Sequence, residues 1–245
     1  MYLKKFEKMT KLELIVFCFM SMASGVIIGV GGTASLLCVH KFGAYGSLIG
    51  GVLFSLGIYT IVVYEMRLFT GMVADLPHIG LKNSWQLPVC FLFNVLGVAF
   101  VALLVYFSSV GATVVPQAKT LISAKLNAGN WAIKSFCSSI LCGLLITISV
   151  KSVRYAPKKG LNVTVGVLFP IIVFAFCGFD HSVANMLYFY YLGECSWRVV
   201  GYILLSIAGN VVGGGFLPMV YVLKHKATRD RAEKSEQTDC KSNEE

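Results

Sequence analysis

Six stretches of this chain, residues 12–39, 45–66, 86–110, 131–153, 161–192 and 197–223, are apolar over lengths close to or beyond those a helix needs to cross a bilayer, roughly 20 residues. Few features limit a fold so strongly. Inside hydrocarbon every backbone N–H and C=O must find a protein partner, and a helix meets that demand within one segment. The chain is therefore read as an all-α membrane protein with six transmembrane helices. Its 56% apolar and 13% charged residues agree with that reading. The formal charge of +9 is scattered over short connections and the tail, with no basic helix and no aromatic-basic interleaving, so nucleic acid is not expected as a partner. The apolar run from Leu12 to Val39 exceeds the 7–15 residues of a signal-peptide core and reads as the first span. The eight cysteines form no CxxC pair and no Cys/His metal spacing, so no metal, cofactor or redox role is assigned to them.

Cytoplasmic loops carry the excess of Lys and Arg. With the N-terminus inside, the inner connections and tail hold Lys4, Lys5, Lys8, Lys11, Lys82, Lys151, Arg154, Lys158, Lys159 and the six basic residues from Lys224 onward. The outer side holds only Lys41, Lys119, Lys125, Lys134 and Arg198. A multi-pass protein of the cell membrane with both termini cytoplasmic is expected. Residues 1–11 are then a cytoplasmic N-terminus, 12–223 the six-helix transmembrane domain, and 224–245 a polar tail whose composition predicts disorder.

Two spans are interrupted. Span five contains Asp180, His181, Ser182 and Asn185 within six residues, and span two runs into Arg67-Leu68-Phe69-Thr70-Gly71. Polar groups at membrane depth are costly and belong in a cavity lined by protein or water. The tetrapeptide Gly51-Val52-Leu53-Phe54 recurs as Gly166-Val167-Leu168-Phe169, and Asn94-Val95-Leu96-Gly97 recurs as Asn210-Val211-Val212-Gly213, at offsets of 115 and 116. These matches point to a duplicated three-span unit, about 12–110 and 131–223. Because three is odd, the second copy enters from the opposite side. The two breaks then occupy corresponding places, and paired interruptions in inverted repeats mark a midplane site.

With these residues in view, the chain resembles the formate/nitrite transporter family of pentameric anion channels. The likeness rests on Leu68-Phe69-Thr70-Gly71, on Gly178-Phe179-Asp180-His181-Ser182-Val183-Ala184-Asn185-Met186 and on Gly209-Asn210-Val211-Val212-Gly213-Gly214-Gly215. It implies an aquaporin-like protomer with its own pore and a homopentameric assembly. It also implies a central His at His181, faced by the Thr70 hydroxyl, between two apolar constrictions. Phe54 and Ile58 look like one collar and Phe69 and Phe174 like part of the other, with Leu68 a further constriction residue. The basic residue that the family carries where span four begins is either Lys125 or Lys134. Arg67, Asp180, Met72, Gly143 and Lys151 stand where family members usually carry other residues, which bears on the substrate more than on the fold.

His181 is the only His inside a span. Desolvation disfavours an imidazolium and a weak-acid anion alike, so that proton transfer from one to the other is favoured and the neutral acid can pass an apolar collar. The other open reading has neutral His181 donating a hydrogen bond to an anion that stays charged. The consecutive side chains of Asp180, His181 and Ser182 point in different directions and cannot form a hydrolase triad among themselves. Ser182 and Asn185 are expected to satisfy freed backbone groups beside Asp180, and Lys151 either draws anions to the inner mouth or serves topology alone. The function expected is a channel or proton-coupled transporter for formate, nitrite or hydrosulfide, and no enzyme. An aquaporin-like channel for neutral solutes is the alternative, although neither break contains Asn-Pro-Ala. A cysteine placed at Ser123 should react with a membrane-impermeant reagent from outside intact cells. Labelling only after permeabilisation overturns both the orientation and the inverted repeat.

Overall fold

The computed structural model describes residues 9–76, 83–155 and 162–242, and these are helical, with no strand among them. Lys4, Lys5, Lys8, Lys82, Lys158 and Lys159 of the charge count lie outside the described residues. The helices are α1 (Lys11–Phe42), α2 (Gly46–Val63), α3 (Phe69–Val73), α4 (Gln86–Tyr106), α5 (Gly111–Asn127), α6 (Trp131–Tyr155), α7 (Val163–Cys177), α8 (Asn185–Leu192) and α9 (Trp197–Ser242). Among the described residues, four helical segments are long and apolar enough to cross a membrane: Lys11–Val63, which joins α1 to α2, Gln86–Tyr106, Trp131–Val153 and Trp197–Arg231.

Local chemistry sets several of the helix ends. Thr10 opens α1 with a capping box: its hydroxyl accepts from the Glu13 N–H at 3.2 Å while the Glu13 carboxylate accepts from the Thr10 N–H at 2.8 Å. Asn162 opens α7, its side-chain oxygen accepting from the Thr164 and Val165 N–H groups. Gly178 (φ 68°) and Gly193 (φ 70°) end α7 and α8 in the left-handed conformation that costs glycine nothing.

Each long helix shows leucine and phenylalanine outward and keeps its small and polar residues inside. On α4, Leu92, Leu96, Phe100 and Leu103 are exposed, whereas Cys90, Asn94, Gly97 and Val101 are buried. This is the reverse of a soluble helix and fits a lipid surround, where packing and interhelical hydrogen bonds hold helices together. Contact is closest at glycines. A Cβ on Gly25 of α1 would stand 2.0 Å from the Asn94 carbonyl oxygen, and one on Gly97 of α4 would stand 2.1 Å from that of Met22. The same crossing recurs between α6 and α9, where a Cβ on Gly143 would lie 2.5 Å from the Asn210 carbonyl and one on Gly213 would lie 1.9 Å from that of Ile140.

The structure adds to the sequence reading at three places. The connection at 111–130 contains helix α5, whose buried face, Val114, Ala118, Ile122 and Leu126, repeats at every fourth residue. Its mixed polarity hid it among the strongly apolar spans. Helix α9 runs on into the tail through Ser242: Lys, Arg, Glu, Gln and Ala are good helix formers, and extending an existing helix needs no new nucleus. Finally, Phe174 pairs with Phe54 rather than with Phe69. Helices α2 and α7 pack so closely that a Cβ on Gly51 would lie 3.1 Å from the Ile172 carbonyl, and this brings the two rings edge to face at 5.4 Å. Phe69 packs instead on Phe91 of α4, at 5.2 Å between ring centres.

Gly25→Ala and Gly213→Ala should each lower the midpoint of thermal unfolding in detergent, since backbone must move to admit the methyl group; overpacking of this kind costs about 1–3 kcal/mol. Gly215→Ala, with nothing within 4 Å of its Cβ, should leave the midpoint unchanged or raise it. Equal melting of all three variants would count against these helix crossings.

Candidate functional site

Where α2 stops at Val63 and where α7 stops at Cys177, the chain turns away from helix and leaves backbone groups without partners. Two buried asparagines supply them. Asn94 accepts from the Phe69 N–H at 2.8 Å and donates through Nδ2 to the carbonyls of Arg67 (2.9 Å) and Ser21 (2.7 Å). Asn210 does the same in the second half, accepting from the Ser182 N–H at 2.8 Å and donating to the carbonyls of Asp180 (3.0 Å) and Ser139 (2.8 Å). Each amide uses its full donor and acceptor character to tie a break to two helices.

The residues so held meet at the centre. Thr70 Oγ1 lies 3.0 Å from His181 Nε2, and both side chains are buried. The other ring nitrogen, Nδ1, is 3.1 Å from the Ala184 backbone N–H. A backbone N–H can only donate, so Nδ1 accepts, the ring is neutral, and its proton resides on Nε2, which donates to the Thr70 hydroxyl oxygen. The Thr70 hydroxyl, accepting from Nε2, keeps its own proton for donation to a further acceptor.

Two cavities approach this pair. One, of about 260 Å³, is lined by Phe54, Leu121, Lys125, Phe174, His181 and Asn185 among others. At its rim Lys125 Nζ lies 2.6 Å from Asp180 Oδ1 and 3.1 Å from the Gly178 carbonyl, and Asn185 Nδ2 donates to the same Asp180 oxygen at 3.0 Å. The Phe174 ring stands 5.9 Å from the imidazole. The second cavity, about 230 Å³, has Leu68, Met72 and Val150 in its wall and Arg67, Asp75 and Lys151 around it, with Lys151 and Asp75 joined in an ion pair. Among the described residues no cluster of His, Cys, Asp or Glu has the makings of a metal site.

Of the residues singled out from sequence, His181 and Thr70 are brought into contact, and Asp180, Asn185 and Lys125 form one polar group beside them. Lys134 is exposed on the first turn of α6. Ile58 is buried one helical turn from Phe54, and Leu68 is buried against the second cavity. Among the described residues Asn185 bonds a carboxylate and the buried Ser182 hydroxyl meets no partner, whereas both were expected to serve freed backbone groups. That role belongs to Asn94 and Asn210. Sequence reasoning passed over both as repeat markers, although an amide at one position of each apolar span was itself the signal.

The family model described as Formate/nitrite transporter matches residues 2–223. The chain is 27% identical to Uncharacterized transporter YrhG of Bacillus subtilis (strain 168), over 92% of this chain and 91% of that one. It is also 27% identical to a Probable formate transporter of Methanothermobacter thermautotrophicus, over 82% and 86% of the two chains. Among solved structures, a pentameric formate channel with formate bound superposes with a TM-score of 0.70 at 20% identity, covering 89% of this chain and 99% of that one. An FNT family ion channel gives 0.72 at 22% identity, covering 87% and 91%. At such identities the structural likeness is one of fold.

Asn94→Leu and Asn210→Leu should each destabilise the protein severely, because each orphans two buried backbone groups of a break at about 1–3 kcal/mol apiece. Denaturation in mixed micelles measures this, and the two losses should be of similar size. A mild effect at either position would mean that the breaks are held by something else.

Proposed function

The chain belongs to the formate/nitrite transporter family, and we propose that it conducts small monovalent weak-acid anions, such as formate, nitrite or hydrosulfide, past His181 and Thr70. The observation that carries the reading is the His181–Thr70 contact, buried between two cavities and fixed by one asparagine from each half. Six transmembrane helices form an inverted repeat of three plus three, with helices two and five broken. Support comes from the matched roles of Asn94 and Asn210 and the matched glycine crossings. Both termini face the cytoplasm, and the assembly is a homopentamer with one pore per protomer. The pentameric formate channel that shares the fold supports the assembly.

In this mechanism Phe54 and Phe174 form the collar on the Lys125 side, with Ile58 one turn further along α2, and Leu68 and Phe69 form the collar on the Lys151 side. Apolar rings reject a bare ion because its hydration shell cannot follow it. Between the collars the anion finds the Thr70 hydroxyl and the imidazole Nε2–H as donors. Neutral His181 thus binds the anion first by hydrogen bonding. To serve as a proton donor, the ring first takes a proton at Nδ1 from water on the side of entry and releases the Ala184 N–H. The transported acid then takes the Nε2 proton, which leaves the ring neutral with its proton on Nδ1, and a water-mediated shift of that proton to Nε2 restores the Ala184 contact.

Flux into proteoliposomes against pH, with internal pH recorded, tests the proposal. The unaltered protein should pass formate, nitrite and hydrosulfide faster as external pH falls, acidify the interior, and pass chloride poorly. His181→Phe should abolish all flux, and Thr70→Ala should weaken it several-fold without changing its pH profile. His181→Asn should lose the pH dependence and the acidification while keeping a polar centre. Should His181→Asn carry weak acids with unchanged rate, profile and acidification, the relay is wrong.

A further inference from the structure

Helix α2, which carries Phe54 of the Lys125-side collar, packs against both α1 and α7. On α1 the residues that meet it are Ile27, Gly31, Ser35 and Val39, every fourth position and so one ridge of the helix surface. Opposite them α2 presents Gly57, Phe54, Gly50 and Gly46 in turn. A Cβ on Gly46 would stand 2.5 Å from the Val39 Cα, one on Gly50 2.8 Å from Ser35 Oγ, and one on Gly57 3.3 Å from Ile27 Cγ2. At Phe54 the order is inverted. Here α2 carries the bulk and α1 the glycine, and a Cβ on Gly31 would stand 3.3 Å from Cδ2 of the Phe54 ring. The same ring meets Phe174 of α7 edge to face at 5.4 Å and borders the cavity that reaches His181.

From this packing we propose that Gly31 is a specificity-determining residue, acting through Phe54: its missing side chain is the recess into which the ring withdraws when a solute passes the collar. In an interior packed as densely as a crystal, a ring moves only where atoms are absent. Toward α7 Phe174 blocks the way, whereas toward α1 the ring travels about one bond length further than any other residue at position 31 would allow. A solute can pass only if the two rings part. The distance that Phe54 withdraws therefore limits the width of what crosses, and each added methyl group on the solute demands more of it. A methyl group at position 31 would press on the ring more tightly than ordinary van der Waals contact and remove that travel. Once the solute has passed, the edge-to-face attraction between the rings returns Phe54 to Phe174. Gly31 touches no solute itself, and positions the residue that does.

This role of Gly31 rests on the channel reading, so the test separates the two. Flux of formate and of acetate, the same carboxylate with a methyl group added, is measured into proteoliposomes of the full-length protein. Gly31→Ala should slow acetate about fivefold more than formate, equivalent to about 1 kcal/mol in the barrier and at the low end of overpacking costs. Gly57→Ala sets an equally tight methyl group into the same helix pair away from the collar, and should leave the ratio of the two fluxes unchanged. In a Phe54→Leu background, where no ring needs the recess, Gly31→Ala should no longer alter the ratio. A second measurement needs no transport: meta-fluorophenylalanine at position 54, in detergent, should give one averaged fluorine resonance in the otherwise unaltered protein and two in Gly31→Ala, where the ring is clamped. An unchanged ratio in Gly31→Ala, the same shift in Gly57→Ala, or a shift that persists in the Phe54→Leu background overturns the role even if formate is conducted well. Two resolved resonances without any change at position 31 overturn it as well, whether or not Gly31→Ala folds. Should the unaltered protein pass formate alone, the fluorine measurement decides. Should it pass neither acid, the channel reading falls instead, and one resonance that becomes two in Gly31→Ala still upholds the recess.

Discussion

Everything at the centre of this molecule depends on two side-chain amides that take the place of helix. A broken helix in hydrocarbon leaves N–H and C=O groups that water would otherwise satisfy, each at a cost of several kcal/mol. Asn94 and Asn210 each satisfy two such groups while reaching a second helix, at Ser21 and Ser139. The breaks are consequently stiff. Thr70 and His181 can face one another at 3.0 Å because the asparagines fix the backbone just before Thr70 and on both sides of His181. The close glycine crossings serve the same end, since Gly97 and Gly213 bring the asparagine-bearing helices near enough for those bonds to form.

Much of the fold could be read from the chain alone because the bilayer admits so few solutions. The apolar runs, the two polar interruptions and the matched tetrapeptides led to the helices and to the pairing of Thr70 with His181. Helix α5 was not legible as a helix: its buried stripe of Val114, Ala118, Ile122 and Leu126 is only one residue wide per turn, and Thr, Gln and Lys fill the rest. With α5 unrecognised, nothing favoured Lys125 over Lys134; the helix turns Lys125 toward Asp180 and leaves Lys134 in the open. The pairing of Phe174 with Phe54 follows from how α2 crosses α7, a tertiary fact with no periodic trace. Asn185 illustrates the limit for single side chains. Its presence in a break was plain, but whether it bonds backbone or carboxylate depends on a lysine about sixty residues away in the chain.

The charges around the centre are arranged as pairs that hold structure and also border the cavities. Lys125 with Asp180 anchors the break after α7 to α5, and Lys151 with Asp75 anchors the end of α3 to α6. Partly buried pairs of this kind keep their strength in salt better than exposed ones. Each joins an element carrying one of the two central residues to a helix outside the break. Position at the centre is thus sensitive to what happens at either mouth.

The partners of the two asparagines carry a consequence for how such a protein is made. Ser21, Arg67, Phe69 and Asn94 all precede residue 100, and Ser139, Asp180, Ser182 and Asn210 all follow residue 130. What crosses between the halves among the described residues is mainly apolar packing, as of Leu187 on Gly32 and of Val73 on Gly214, besides the Thr70–His181 contact, the Lys151–Asp75 pair and the bond from the Tyr190 hydroxyl to the Val95 carbonyl. As the ribosome releases the chain, the first half can silence the exposed amides of its own break before the second half exists. A nascent membrane protein is most at risk while such groups wait for partners, and here the wait ends with each half.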